Sequence, residues 1–473
     1  MMAFIGAAGI TLAAQKPDRS APPRPAAPPA LKLPPAQKSA LSNGLAVWII
    51  EQHEVPLVQV NLIVRAGSAA DPAGTYGVAR MTANMLDEGA GGKSALELAD
   101  AVEFLGAELT TLSTFDYSAI RLSTPVAGLA DALPLLRDVI ASPAFPAEEL
   151  ERLRKERLTE LLQARDDPAT IIEIAFPRFV FGEKHRFGTV PGGGAADVKA
   201  MTLDDLRAFH RGFYRPENSV LLLVGDVTPA AVLPLLEQTL GRWKPGGPAA
   251  KATAPPSAPQ LTRRQLYLVD KPGAAQSQIR IGWVGVPRST PDYPTVQVLN
   301  TILGGSFTSR LNTNLRETHG YSYGAFSGFE ARISPGAFFA GAGVQTDKTA
   351  EALKEFFNEF DSILRPIPAD ELDKARNYVA LGFPAQFETN ADLARKLEEQ
   401  VVHSLPDDYF PSYIRAVVQV SGAGIEKAAQ QYIQPERFAV VVVGDRKMIE
   451  AGIRALNLGP INVVTIDQLL GPM

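Results

Sequence analysis

Residues Gly77 to Leu86 read G-V-A-R-M-T-A-N-M-L, and the reading of this stretch decides the fold. As a helix it places Arg80, Ala83 and Asn84 at i, i+3 and i+4. Side chains at i and i+4 share a helix face, so two histidines there could grip one zinc ion while a glutamate beside them activates its water. Arg80 cannot bind a cation, Ala83 has no base, and Asn84 is a poor zinc ligand. What this helix lacks is therefore as informative as what it has.

With 473 residues the chain is too long for one core, so two or more domains are expected. An apolar content of 46% and a charged content of 21% are those of an ordinary globular protein. The net charge of −5, without a clustered basic stripe, gives no reason to expect nucleic acid as a partner. Cysteine is absent, which removes disulfides, thiolate zinc sites and a cysteine nucleophile together. His53, His185, His210, His319 and His403 are scattered, so a histidine metal site would have to be assembled from distant parts of the chain.

Met1 to Ala14 are small and apolar and resemble the later part of a secretory signal, although a positive start is missing. An exported, periplasmic location is the expectation. No later apolar run reaches the ~20 residues that span a bilayer. Gln15 to Lys38 are rich in Pro and Ala and read as a semi-extended linker.

A second Pro/Ala/Gly-rich stretch, residues 244–262, separates two halves that resemble each other. Arg215-Pro216-Glu217-Asn218-Ser219 followed by V-L-L-L-V-G-D returns, 219 residues on, as Gln434-Pro435-Glu436-Arg437-Phe438 followed by A-V-V-V-V-G-D. The alternation Val58/Val60/Leu62/Val64 matches Ile279/Ile281/Trp283, and Tyr76-Gly77 matches Tyr293-Pro294, at nearly the same offset. Alternation of this kind predicts strands covered on one face. The expected fold is α+β: two homologous α/β-sandwich domains from an internal duplication, at residues 39–243 and 263–467. Ala147 to Asp167 reads as one long helix with Leu150, Leu153, Leu158 and Leu161 near one face, stopping before Pro168. Ala369 to Ala380 and Asn390 to His403 read as its counterparts.

Taken in order, L-S-N-G-L-A-V (Leu41 to Val47), R-A-G-S (Arg65 to Ser68), the helix at Gly77, the helix with Glu160 and Pro168, and F-Y-R-P-E-N (Phe213 to Asn218) resemble the pitrilysin/insulinase family of zinc metallopeptidases. The likeness is to its two-subunit branch, similar to mitochondrial processing peptidase. In that family the helix carries H-x-x-E-H, and a glutamate some 76 residues later completes the zinc site. Glu160 stands at that place, followed eight residues on by Pro168. The resemblance thus implies a degenerate metal site at Arg80, Ala83, Asn84 and Glu160, with Arg80 expected to pair with Glu160 in the space of the lost ion. A helix carboxylate bridged to Arg157 is the plainer reading of Glu160.

The second half contains L-R-E-T-H-G-Y-S-Y-G-A-F-S, with Arg316 and Tyr323 seven residues apart. The resemblance implies that this pair contacts the peptide at the scissile carbonyl, as fixed donors for a developing oxyanion. Gly304, Gly305 and Ser306 match a loop that lies near the substrate in the family; a plain helix-to-helix turn is the other reading. Pro191 to Gly194 lacks the context of a phosphate cradle and reads as a flexible surface turn near the site. His319 is expected to be exposed and neutral.

Loss of the metal site with retention of the Arg–Tyr pair implies the non-catalytic subunit of a heterodimeric zinc metalloendopeptidase. Such a chain binds extended peptides by strand addition to a sheet edge. It holds no cofactor itself; zinc belongs to a homologous H-x-x-E-H partner, in whose absence a homodimer can form. A structural core subunit of a larger complex is the alternative.

Overall fold

The computed structural model describes residues 26, 28, 30–244, 246–251 and 255–471. The signal-like start and most of the first Pro/Ala-rich stretch lie outside the described residues.

The main strands form two six-stranded sheets. The first comprises Gln37–Ala40 (β1), Ala46–Glu51 (β2), Leu57–Val64 (β3), Glu108–Ser113 (β4), Ser118–Pro125 (β5) and Ser219–Gly225 (β6), in the order β1-β2-β6-β3-β5-β4. The second comprises Gln265–Asp270 (β7), Gln276–Val284 (β8), Ser322–Phe329 (β9), Ala337–Gln345 (β10), Ala439–Gly444 (β11) and Ile461–Val464 (β12), in the order β12-β7-β11-β8-β10-β9. Five strands of one sheet thus have equivalents in the other, in the same spatial order. Only the outermost differ: β1 runs antiparallel to β2, whereas β12 runs parallel to β7. The continuous apolar runs V-L-L-L-V and A-V-V-V-V form β6 and β11, where both faces are buried.

The strands were expected to be covered on one face. Both faces of β3 are covered. Val58, Val60, Leu62 and Val64 enter the core of the first half, while Gln59, Asn61 and Ile63 lie beneath a helix from the second half, Asn390–His403. The reverse also holds: the helix Pro168–Phe181, from the first half, covers the second sheet, packing Ile172, Phe176 and Val180 on Val269, Val441 and Val443. Each sheet is therefore closed by a helix of the other half. The polar residues on these faces are buried because each helix brings a carboxylate to them. Glu398 accepts from Arg121 and Asn61, and Glu173 accepts from Arg280.

Two boundaries also differ. The first linker was placed up to Lys38, but β1 begins at Gln37, and Leu31 and Leu33 already pack on the core. The helix Ala147–Asp167 ends at Ala164, because Asp167 caps the next helix: its carboxylate accepts from the amides of Ala169 (3.1 Å) and Thr170 (3.0 Å), and Pro168 takes the first helical position.

Candidate functional site: the Val78–Met85 helix and an Arg–Tyr sheet edge

The opening stretch does form a helix, Val78–Met85 (α1). Its start is fixed by charge. The Asp71 carboxylate accepts from the amides of Gly77 (2.6 Å) and Ala79 (2.9 Å) and from Arg186 (2.8 Å). Both side chains are buried, and Arg186 also donates to the Ser68 carbonyl (2.6 Å) and lies 4.6 Å from the Tyr76 ring centroid. Burial raises the Asp71 carboxyl above its usual range, against the opposing pull of Arg186 and the two amides. Gly77 has φ +97°, and a Cβ there would lie 2.4 Å from the Gly192 carbonyl oxygen. Glycine is required there by both conformation and space.

That contact corrects the reading of Pro191–Gly194 as a flexible surface turn. Gly192 and Gly193 are buried against the start of α1, and a Cβ on Gly193 would lie 2.1 Å from the Tyr76 carbonyl oxygen.

The pairing expected between Arg80 and Glu160 is not formed. Glu160 takes Arg157, one turn away on its own helix (Ala147–Ala164, α2), at 2.9 Å, and Arg157 also reaches the Gly193 carbonyl (3.4 Å). Among the described residues Arg80 has no carboxylate within ion-pair distance. A Cβ built on Gly192 would lie 3.3 Å from Arg80 Cδ and 3.3 Å from Arg157 Nε, so the two arginines converge on this loop. Glu160 is more than half exposed and reaches the nearer, same-helix partner at little entropic cost. Ala83 is fully buried and Asn84 partly so. Arg80 and Ala83 offer no lone pair to a metal, Asn84 is a weak ligand and Glu160 is engaged by Arg157, so these residues do not fit zinc. Among the described residues no three His, Cys, Asp or Glu side chains are grouped so as to hold a metal ion.

Arg316 and Tyr323 come together at the edge of the second sheet. Arg316 lies in the π-helical turn Thr313–Thr318, the chain reverses at Gly320 (φ +65°), and Tyr323 is the second residue of β9. The register of β9 against β10 slips between Ser322 and Ala325, leaving Tyr323 and Gly324 in a bulge. Such a bulge re-aims a side chain, and Tyr323 is 88% exposed. The Arg316 guanidinium stands 5.1 Å from the Tyr323 ring centroid and 4.6 Å from that of Phe307. Phe307 ends the loop Gly304-Gly305-Ser306-Phe307 that the sequence singles out, but its contact with Arg316 was not foreseen. Asn312 gave no signal; it ties the assembly by donating to the Phe307 carbonyl (2.6 Å) and accepting from the Ala325 amide (3.1 Å).

Gly304 and Gly305 follow the helix Tyr293–Leu303, and Ser306 donates to the Thr301 carbonyl (3.1 Å). The Gly304 carbonyl accepts from the Ser327 amide (3.1 Å), and a Cβ on Gly304 would lie 2.3 Å from that nitrogen. The loop is thus packed on β9 as a steric necessity. With the Ala325 and Ser327 amides both engaged, β9 is closed to strand addition. The outer edge of β4, against which α1 packs, has no backbone partner among the described residues. His319 is stacked on Tyr321, with ring centroids 4.9 Å apart. No helix among the described residues is long and apolar enough to cross a membrane.

The family model described as insulinase (peptidase family M16) matches residues 46–185, and that described as peptidase M16 inactive domain matches residues 200–379. The chain is 25% identical over 414 residues to an uncharacterized zinc protease of Mycobacterium tuberculosis, covering 86% of this chain and 93% of that one. It is 23% identical over 405 residues to the zinc protease PqqE of Helicobacter pylori, covering 85% and 91%. Among solved structures, the peptidase M16 inactive domain from Pseudomonas fluorescens superposes with a TM-score of 0.80 at 28% identity, over 86% of this chain and 98% of that chain. A protease from Helicobacter pylori gives 0.80 at 22% identity, over 87% and 100%, and shares the fold. The chain belongs to the insulinase (M16) family of peptidases.

Proposed function

We propose that this chain is the non-catalytic subunit of a two-subunit zinc metalloendopeptidase. The observation that carries the reading is the contrast between its two ends of chemistry. The α1 helix offers no ligand set at Arg80, Ala83 and Asn84, while the partly buried Arg316 guanidinium stands beside the exposed Tyr323 ring at a sheet edge. In this reading an extended peptide lies along β4, the edge left unpaired, and main-chain hydrogen bonds give tolerance of sequence. The partner, a homologue with H-x-x-E-H, holds zinc, and Arg316 and Tyr323 donate to the oxygen that gains charge at the scissile carbonyl. Export to the periplasm belongs to the same proposal. A purely structural core subunit has no need of an arginine held between two exposed aromatic rings.

The test is reconstitution. The chain alone should bind no stoichiometric zinc and cleave no peptide, and addition of the partner should restore hydrolysis. Arg316→Ala and Tyr323→Phe should each lower turnover by about one to three orders of magnitude. Full turnover by both variants, in a complex that assembles normally, refutes the role.

A further inference from the structure

We infer that Arg80, backed by Arg157, is a recognition site for a carboxylate on a bound peptide; the inference rests on the peptide-binding reading above and specifies what that surface selects. Three arginines and three carboxylates surround the start of the helix, but only two ion pairs form among them. Arg186 is neutralised by the buried Asp71, Asp197 spends its carboxylate on the Gly194 amide (3.0 Å), and Glu160 answers Arg157. Arg80 has no such counter-charge among the described residues, and it is exposed on a helix that packs against β4. Gly192 is the reason that the two arginines can approach: any side chain there would touch both. Arg157 is held by Glu160 and the Gly193 carbonyl, so its charge stays beside Arg80.

A neutral peptide running along β4 would leave the Arg80 guanidinium solvated. A carboxylate at the same place accepts a charge-assisted, two-pronged hydrogen bond, a geometry that a guanidinium fork presents and an ammonium does not. The carboxylate could be an aspartate or glutamate side chain or the peptide's own C-terminus. The position that in a zinc-bearing relative would hold a cation for catalysis here holds a cation for binding.

The experiment is fluorescence anisotropy of the full chain with three labelled peptides of one neutral sequence: amidated, amidated with a single central Glu, and with a free C-terminal carboxylate. The expected result is about tenfold tighter binding of one or both carboxylate peptides than of the neutral one. The arm that gains identifies the source of the carboxylate. Arg80→Gln, an exposed change whose folding circular dichroism checks, should erase the preference. Arg80→Glu should reverse it towards a peptide carrying Lys in place of Glu. Equal binding of all three peptides, unchanged in Arg80→Gln, overturns the carboxylate site and leaves peptide binding standing. No binding of any peptide overturns the peptide-binding reading, and this inference with it.

Discussion

Glu398 is the place where one substitution tests the architecture. It is 2% exposed on the helix Asn390–His403 and accepts from Asn61 (2.6 Å) and twice from Arg121 (2.9 and 2.6 Å), all on the other half's sheet. Gln59 in turn donates to Asn61 (2.6 Å). Glu398→Ala leaves Asn61 buried with a free donor and Arg121 without a counter-charge. Breaking a buried pair from one side costs about 3–5 kcal/mol. Arg121 keeps 24% of its side chain exposed, so water recovers part of that, and about 3 kcal/mol is the expected loss. Glu398→Gln retains an acceptor and should lose about half as much. The double variant Arg121→Met/Glu398→Met removes both charges but still leaves the Asn61 donor unpaired, so it should recover about half of the loss. Urea unfolding followed by far-ultraviolet circular dichroism measures all three. If Glu398→Ala costs less than about 1 kcal/mol, or the double variant is no better than the single, the ionic seam does not join the halves.

Further outcomes are expected from other parts of the molecule. Gly77→Ala meets both a left-handed backbone and the Gly192 carbonyl, so it should lower stability by about 3 kcal/mol and be visible as a fall in Tm. Phe307→Ala removes one of the two rings clasping Arg316; in the reconstituted peptidase it should lower turnover about threefold, with the chain's own Tm unchanged. Burial holds the His210 imidazole down at about 4, while its Nε2 donates to the Ile140 carbonyl at 2.8 Å. Because that value lies below the unfolded one, the stability it contributes is present above pH 6.5 and is lost as pH falls towards 4, by about 3 kcal/mol in all. His210→Gln should flatten that part of the Tm–pH curve, and an unaltered slope would exclude His210 as its source.

Much of this was legible in sequence because glycine, proline and apolar residues at fixed intervals report backbone demands. Gly77 is needed by its φ and by Gly192, and Pro168 by the start of the next helix. The family and the α+β class followed from such positions. What was not legible depended on partners remote in the chain. Gln59 and Asn61 alternate with valine and leucine as solvent-facing residues do, yet Asn61 is buried by Glu398, 337 positions away. Glu160 took Arg157, the i,i+3 neighbour that helix spacing offered as the plainer reading, whereas the pairing with Arg80 depended on how a loop sets two arginines. Phe307 and Asn312 act through contacts with a bulge, and a bulge leaves no periodicity to read.

The exchange of helices between the halves has a genealogical consequence. A half-length ancestor with either sheet alone would have left one face of β6 or β11 bare, and could have covered it only by lending its helix to a second copy. The duplication therefore fused an obligate, interlocked dimer rather than two self-sufficient units. Today's connecting segment is a tether more than a joint: a protease nick within residues 246–251 should leave two fragments that stay together through gel filtration.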